Sequence, residues 1–244
     1  MGDNKLKAVF FDCWSTVISF CEKRKDWNTA PLKNHAINYD SLDWNKIDEF
    51  SDKFFKDYYS TTMYDIKYSQ FLKLVTRLFS IELNDSIENI QHEVLNGLDP
   101  QPIKGIETFL NYLKEQGYYY AVLSNTIYED EDNEKVIKEK VPTSEFKFFY
   151  GSSNIGVKKP DPLFFLTASN ASNISLSQAM YIGDTFYQDV YGSYKAGFKY
   201  SIWLNSRNKE KEAYKHLCDV DEPKYKEVKD YYELLELFKN GEFE

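Results

Sequence analysis

Cysteine and histidine are scarce in this chain, which has only three of each among 244 residues. The cysteines, Cys13, Cys21 and Cys218, are odd in number and irregularly spaced, so they indicate neither a disulfide framework nor a zinc site. The scattered histidines disfavour a histidine-based metal centre. We therefore expect reduced thiols, as is usual for a protein of the cytoplasm.

Long apolar runs are also absent, and no stretch approaches the roughly 20 apolar residues of a membrane-spanning helix. Residues 1–7 are polar and lack the apolar centre of a signal peptide. Positive charge is in deficit, since 30 Lys and Arg residues face 39 Asp and Glu residues and the net charge is −9. A nucleic-acid backbone is bound by clustered cations, so the charge balance argues against nucleic acid as a partner. Together with the lack of long apolar runs, we expect a soluble, cytoplasmic protein that does not bind a membrane. The oligomeric state stays open.

Short apolar segments that predict buried β-strands are present at five places in the chain. They are 6–11, 118–124, 146–150, 179–182 and 200–204. Helical patterns separate or follow the later segments, at 105–116, 161–169, 187–196 and 230–238. This alternation of strands and helices predicts an α/β fold with a Rossmann-like, doubly wound parallel sheet.

Residues 19–98 interrupt this alternation. Apolar residues recur at helical spacing within 42–59, 68–79 and 87–98, which predicts several amphipathic helices. We therefore predict a helical cap domain at 19–98, inserted into a core domain formed by 1–18 and 99–244. The DPQP sequence at 99–102 is a suitable return linker.

Polar side chains end or follow the predicted strands, at the edge where an open parallel sheet binds its ligands. They are Asp12, Ser124, Asn125, Lys159, Asp184 and Asp189. Carboxylates, a hydroxyl and an ammonium at one sheet edge suit phosphoryl transfer. A carboxylate can attack phosphorus, carboxylate-bound Mg²⁺ can neutralise the phosphoryl oxygens, and Lys and Ser can hold the phosphate.

Four short motifs in this order resemble those of the haloacid dehalogenase-like hydrolase superfamily. They are Asp-x-x-x-Thr at 12–16, Ser-Asn at 124–125, Lys-Pro at 159–160 and Gly-Asp-x-x-x-x-Asp at 183–189. The helical insert after the first motif resembles the cap of the family's first subclass. The resemblance covers essentially the whole chain, and it implies a hydrolase with a small phosphorylated substrate.

The resemblance also implies a magnesium site. Asp12 would be both the nucleophile and a metal ligand, with the backbone carbonyl of Trp14 as a second ligand. Asp184 would bind the ion, and Asp189 would bind it directly or through water. Oxygen donors of this kind are what Mg²⁺ requires.

Two further catalytic residues follow from the same resemblance. Ser124 would hydrogen-bond the transferring group, and Lys159 would pair with both Asp12 and that group. Lys159 is preferred to Lys158 because the family lysine directly precedes proline. The expected substrate-binding residues are Trp14, Ser15, Thr16 and Asn125.

The chain departs from the family pattern at Trp14. Most phosphatases of the family have a second aspartate at this position, which protonates the leaving group and later activates water. An indole has one N–H donor and cannot carry out that proton transfer. General acid–base catalysis contributes typically ~10²–10⁴-fold, so turnover of ordinary phosphomonoesters should suffer. Ser15 also replaces the usual glycine.

Three explanations for this departure stay open. The leaving group needs no proton, or a residue of the cap supplies it, with His35, His92, Glu22 and Lys23 as candidates. Alternatively the protein is a metal-independent 2-haloacid dehalogenase, whose family pattern also has an aromatic residue here but lacks the metal-binding pair. The third explanation is that the site binds a phosphorylated ligand or partner with little turnover. We expect a Mg²⁺-dependent phosphatase.

Overall fold

A computed structural model describes residues 5–19, 29–210, 217–218 and 223–243 of the chain. Cys21 and two of the candidate proton donors, Glu22 and Lys23, lie outside these residues. Among the described residues, no helix has both the length and the apolar character needed to cross a membrane.

The core is a six-stranded sheet in which every strand pair is parallel. Its strands are β1 (Ala8–Phe11), β2 (Tyr119–Ser124), β3 (Phe149–Gly151), β4 (Ala179–Gly183), β5 (Tyr200–Leu204) and β6 (Lys226–Val228). The order across the sheet is β3-β2-β1-β4-β5-β6. The predicted doubly wound parallel sheet is therefore confirmed, with β6 as an additional edge strand that the apolar pattern did not indicate.

The register of the central strands aligns their carboxyl ends. Phe11 lies opposite Val122 of β2 on one side and Ile182 of β4 on the other. The residues that follow these three positions therefore emerge at one edge of the sheet, which is where ligands bind in folds of this kind.

Helices precede, follow and connect the strands. The α-helices are α1 (Ala30–His35), α2 (Trp44–Lys53), α3 (Tyr68–Leu78), α4 (Ile87–Asn96), α5 (Ile106–Glu115), α6 (Asp130–Lys140), α7 (Ser152–Ile155), α8 (Pro162–Ser172), α9 (Gly192–Ala196) and α10 (Tyr231–Lys239). Two π-helical segments, Phe54–Tyr58 and Phe186–Tyr191, occupy parts of the predicted helices 42–59 and 187–196. Short 3₁₀ turns lie at Tyr39–Ser41, Tyr59–Thr61 and Leu176–Gln178 in the described part of the chain.

Several helices begin where the sequence supplies a capping side chain. The carboxylate of Asp161 accepts from the backbone N–H of Leu163 at 2.9 Å, and Pro162 occupies the first helical position of α8. Ser86 caps α4 in the same way, accepting from the N–H of Asn89 at 3.1 Å. Such contacts satisfy N–H groups that have no partner within the helix.

Apolar side chains cover both faces of the central strand. Val9 and Phe11 belong to one buried cluster, whereas Ala8 and Phe10 belong to another on the opposite face. Successive residues of a strand point to opposite faces. The unbroken apolar run of β1 therefore reflects a strand buried on both sides.

The helices α1–α4 lie between β1 and β2 in the chain, so the predicted helical insertion is present. Its buried residues Leu32, Ile47 and Phe71 belong to the same apolar cluster as Val9 of the sheet. The bounds proposed for a separate cap domain, 19–98, stay a prediction.

Candidate active site

Asp12 directly follows β1 and is buried at the carboxyl edge of the sheet. Its backbone N–H donates to the carbonyl of Ile182 at 2.8 Å, which continues the pairing with β4. Its carboxylate oxygen Oδ1 accepts from Ser124 Oγ at 3.1 Å and from Lys159 Nζ at 2.7 Å. The other oxygen, Oδ2, accepts from Thr16 Oγ1 at 3.4 Å.

Lys159 is the most enclosed charged group of the site, with a side chain only 1% exposed. Its ammonium contacts Asp12 Oδ1, lies 2.6 Å from Asp189 Oδ1 and 2.8 Å from the hydroxyl oxygen of Tyr181. Burial by itself lowers the pKa of Lys159, but the charges of Asp12 and Asp189 outweigh it and hold that pKa well above its usual value. Lys159 is therefore protonated. Lys158 instead donates to the backbone carbonyl of Tyr59.

Asp12, Asp184 and Asp189 form a buried carboxylate cluster in which one oxygen of each residue lies within 4.8 Å of the others. Gly183 permits this approach, because a Cβ atom at that position would lie 2.3 Å from Cγ of Asp189. The backbone N–H of Thr185 donates to Asp189 Oδ2 at 2.8 Å. Burial raises the pKa of both Asp184 and Asp189, and the neighbouring charge of Asp12 adds to the shift in each.

The cluster suits a divalent cation. Three carboxylates are the hard oxygen donors that Mg²⁺ prefers, and their mutual repulsion in a buried site disfavours the fully ionised state unless a cation compensates it. The donor set therefore fits the predicted magnesium ion better than it fits a zinc ion, which favours nitrogen and sulfur ligands.

Asn125 does not contact Asp12 but holds the segment that carries Lys159. Its Oδ1 accepts from the backbone N–H of Lys159 at 2.8 Å, and its Nδ2 donates to the carbonyl of the same residue at 3.0 Å. Nδ2 also lies 3.3 Å from Oε1 of Gln188. Asn125 thereby holds the backbone of Lys159 in place, and its expected role in substrate binding stays a prediction.

The three residues that follow Cys13 form a tight turn beside Asp12. Ser15, which replaces the family's usual glycine, has φ of +62°, in the left-handed region that glycine adopts most easily. Its N–H donates to the carbonyl of Ile18 at 2.7 Å, and its hydroxyl accepts from Arg207 Nη2 at 3.2 Å.

Trp14 is half-buried and packs against the larger apolar cluster. Thr16 is buried, and its carbonyl accepts from the Tyr231 hydroxyl at 3.0 Å.

Sequence analysis missed four side chains that reach the site or its immediate neighbours. They are Tyr181, Gln188, Arg207 and Lys209. Lys209 makes the most direct contact, with its Nζ 2.6 Å from Asp184 Oδ2. The one available signal was position: residues 205–210 follow β5, so they emerge at the same sheet edge as the other site residues.

The histidines proposed as proton donors have partners outside the carboxylate cluster. His35 contacts Asn84 Oδ1 at 2.8 Å and Glu93 Oε2 at 2.7 Å. His92 lies 2.9 Å from Asp132 Oδ1. Neither contact supports a role in protonating a leaving group beside Asp12.

The chain belongs to the haloacid dehalogenase-like hydrolases, because the model of that family matches residues 28–202, which is more than half of the chain. The resemblance inferred from the four motifs is thereby confirmed. One curated relative is the glyceraldehyde 3-phosphate phosphatase of Pyrococcus furiosus. It is 24% identical, with 93% of this chain and 88% of the relative covered.

Solved structures share the fold at lower identity. The 2-haloacid dehalogenase of Pseudomonas syringae superimposes with a TM-score of 0.64 at 19% identity, covering 97% of this chain and 99% of the other. The HAD-hydrolase YfnB of Bacillus subtilis, in a structure bound to magnesium, gives a TM-score of 0.56 at 18% identity, with 96% and 99% covered. These likenesses show the fold, which hosts more than one chemistry.

Proposed function

We propose that this hydrolase is a Mg²⁺-dependent phosphatase that cleaves a small organic phosphate through an aspartyl-phosphate on Asp12. The observation that carries the proposal is the buried carboxylate cluster, in which Asp12, Asp184 and Asp189 lie within reach of one cation. A metal-independent dehalogenase has no need for that cluster. The relationship to a curated glyceraldehyde 3-phosphate phosphatase supports a phosphorylated substrate.

The proposed reaction has two steps. An oxygen of Asp12 attacks phosphorus, the bond to the leaving oxygen breaks, and that oxygen departs with the electron pair and takes up a proton. Water then hydrolyses the aspartyl-phosphate, which releases inorganic phosphate and restores the Asp12 carboxylate. Dividing one difficult step into two easier steps is the usual gain from a covalent intermediate.

Lys159 and Ser124 have matching tasks in this proposal. Both donate to Asp12 Oδ1, whereas Oδ2 has only the longer contact from Thr16 Oγ1 among the residues that the structure describes. We propose Oδ2 as the attacking atom for that reason. The fixed ammonium of Lys159 and the hydroxyl of Ser124 would then stabilise negative charge on the transferring phosphoryl group.

The proposed Mg²⁺ ligands are Asp12, Asp184, Asp189 and the backbone carbonyl of Trp14. When bound, the ion supplies Lewis acidity and charge neutralisation at the phosphoryl oxygens. Ser15, Thr16 and the half-buried indole of Trp14 lie in the turn beside Asp12, so we propose that they line the substrate site. We propose that the inserted helices act as a cap that excludes water.

Dehalogenation is a second candidate, and Trp14 is the observation that favours it. A halide leaves without a proton, so an aromatic residue in place of the second aspartate has no cost in that reaction. The nucleophile would still be Asp12, and the carboxylate cluster would then lack a catalytic purpose.

The proposal is tested by assaying alkyl, aryl and acyl phosphates with Mg²⁺ and with chelator. Asp12→Asn should lower phosphate release by about 10³-fold or more, because the substitution removes the nucleophile. Asp52→Asn, on the exposed surface of α2, is the matched control and should retain full activity.

Three outcomes contradict the proposal in different ways. Full activity of Asp12→Asn would exclude Asp12 as the nucleophile. Chelator-insensitive halide release from a 2-haloacid would establish the dehalogenase instead. Phosphate binding without turnover of any substrate would identify a binding protein.

A further inference from the structure

The segment after β5 brings a second ammonium group to the carboxylate cluster. Lys209 Nζ lies 2.6 Å from Asp184 Oδ2 and 3.2 Å from the backbone carbonyl of the same residue. Asp184 is one of the three carboxylates that could hold a divalent cation. The lysine therefore occupies one oxygen of a candidate metal ligand.

This placement is built by the fold. The side chain of Asn205, which is buried, accepts from the backbone N–H of Lys209 at 2.7 Å and donates to its carbonyl at 3.0 Å. The same amide donates to Glu227 Oε1 at 2.7 Å, which ties it to β6. These hydrogen bonds hold the backbone of Lys209 at the sheet edge.

The two lysines of the cluster differ in access to water. The side chain of Lys159 is 1% exposed and contacts two carboxylates, so its charge cannot leave without a large desolvation cost. The side chain of Lys209 is 26% exposed and contacts only Asp184 among them. Lys209 can therefore turn its ammonium into solvent at much lower cost.

Charge balance makes Lys209 and a divalent cation competitors. Asp12, Asp184 and Asp189 carry three negative charges when ionised, and Lys159 with Lys209 supplies two positive charges. If Lys209 withdrew, a divalent ion together with Lys159 would balance the three carboxylate charges. With Lys209 in place, the same ion would leave an excess positive charge beside the ammonium and would have to share Asp184 with it.

We propose that Lys209 is a tethered competitor of the divalent cation, pairing with Asp184 until the ion displaces it. Lys209 thereby weakens cation binding and sets the Mg²⁺ concentration at which the site is filled. The inference rests on the metal site of the proposed function and deepens it by naming a residue that tunes metal affinity. By linkage, the cation and the Asp184–Lys209 contact weaken one another equally.

The test is direct titration of MgCl₂ into the substrate-free full chain, by isothermal calorimetry. Lys209→Met removes the charge but retains an unbranched side chain. This variant should bind Mg²⁺ about 10-fold more tightly than the native protein. Lys209→Gln is a second charge-removing variant and should shift the affinity in the same direction. Lys209→Arg keeps the charge and should bind about as weakly as the native protein.

Thermal unfolding gives an independent readout that does not involve activity. Without added cation, Lys209→Met should melt at a lower temperature than the native protein, because the buried Asp184 carboxylate has lost its ammonium partner. Saturating Mg²⁺ should raise its melting temperature by more than it raises that of the native protein. Lys224→Met, at an exposed lysine after β5, is the matched control and should change neither quantity.

The outcomes separate this inference from the proposed function. If native protein binds Mg²⁺, Asp184→Asn abolishes the binding, and both Lys209→Met and Lys209→Gln bind with native affinity, the competitor role is overturned while the metal site stands. If neither the native protein nor the lysine variants bind Mg²⁺ or Mn²⁺, the metal site and the inference both fail.

Discussion

Trp14 occupies the position at which most phosphatases of this family have their second aspartate. The indole is half-buried and packs against the apolar cluster that also contains Phe11. It lies in the turn that starts directly after the proposed nucleophile, so a carboxylate at the same position would be close to a leaving group. The effect of the missing carboxylate can therefore be tested by substituting Trp14 alone.

We expect Trp14→Asp to increase Mg²⁺-dependent hydrolysis of an alkyl phosphate, by about 10-fold or more, because it restores a general acid. The gain should be smaller with an aryl phosphate, whose leaving group needs less protonation. Steady-state kcat on the two substrates is the measurement, with circular dichroism to verify that the variant is folded.

Trp14→Asn is the matched control, since it removes the same ring without adding an acid. If Trp14→Asp and Trp14→Asn lower activity equally while both remain folded, the indole shapes the substrate site and its replacement by aspartate restores nothing.

At the scale of elements, the segment that joins the second and third helices of the insert is bonded to the loop that carries Lys159. The N–H of Asp65 donates to the carbonyl of Gly156 at 3.1 Å, and the N–H of Lys158 donates to the carbonyl of Met63 at 3.0 Å. These backbone contacts connect residues nearly a hundred positions apart in the sequence. The insert therefore braces one side of the catalytic edge.

The side chain of Asp65 adds a buried polar contact at the same junction. It accepts from the Ser152 hydroxyl and from the N–H of Ile66, and the latter contact is 2.8 Å long. Ser152 Oγ in turn accepts from the N–H of Thr126 at 2.9 Å. Thr126 lies in the loop that follows Ser124. Asp65 thus supports the loops after β2 and β3 together.

Asp65→Ala should lower the free energy of unfolding by about 1–3 kcal/mol, because it removes the carboxylate acceptor of the buried Ser152 hydroxyl and leaves that hydroxyl only the longer contact to the Thr126 carbonyl, at 3.4 Å. Urea unfolding followed by circular dichroism measures the change. Asp57→Ala removes an exposed carboxylate from the same part of the insert and is the control. Equal stability of the two variants would exclude Asp65 as a structural link between insert and core.

At the scale of the whole molecule, one apolar cluster extends from the sheet into the insert. It includes Val9 of β1, Phe109 of α5, Ile47 of α2 and Phe71 of α3, all fully buried. Side chains that share a cluster lose their contacts together when either part opens. The insert and the sheet should therefore behave as one cooperative unit.

We expect a single thermal unfolding transition, with coincident midpoints from far-ultraviolet and near-ultraviolet circular dichroism. Ile47→Ala, in the insert, should shift that whole transition to lower temperature, because a buried Ile→Ala change costs about 2–5 kcal/mol. Leu74→Ala, at a leucine that is 42% exposed, is the control and should shift it much less. Two separate transitions, only one of them sensitive to Ile47→Ala, would contradict the cooperative unit.

Local sequence patterns were enough to predict the alternation of strands and helices and the residues at the carboxyl ends of the central strands. Asp12, Ser124 and Asp184 could be identified because each lies at or just beyond the end of an apolar run, and the carboxyl ends of parallel strands meet at one edge. The helical insertion was predictable for a similar reason, since its apolar spacing is local. β6 was not, because Lys226–Val228 is a short edge strand with one buried residue.

Tertiary structure alone decided which distant side chains join these residues. Lys209 lies 25 residues after Asp184, in a polar segment whose sequence is typical of an exposed loop, and nothing local shows that its ammonium reaches a carboxylate. The contact of Asp65 with Ser152 spans 87 residues and has the same character. Apolar periodicity encodes burial, whereas the pairing of single charges across the molecule depends on how the elements pack, and no short stretch of sequence contains that information.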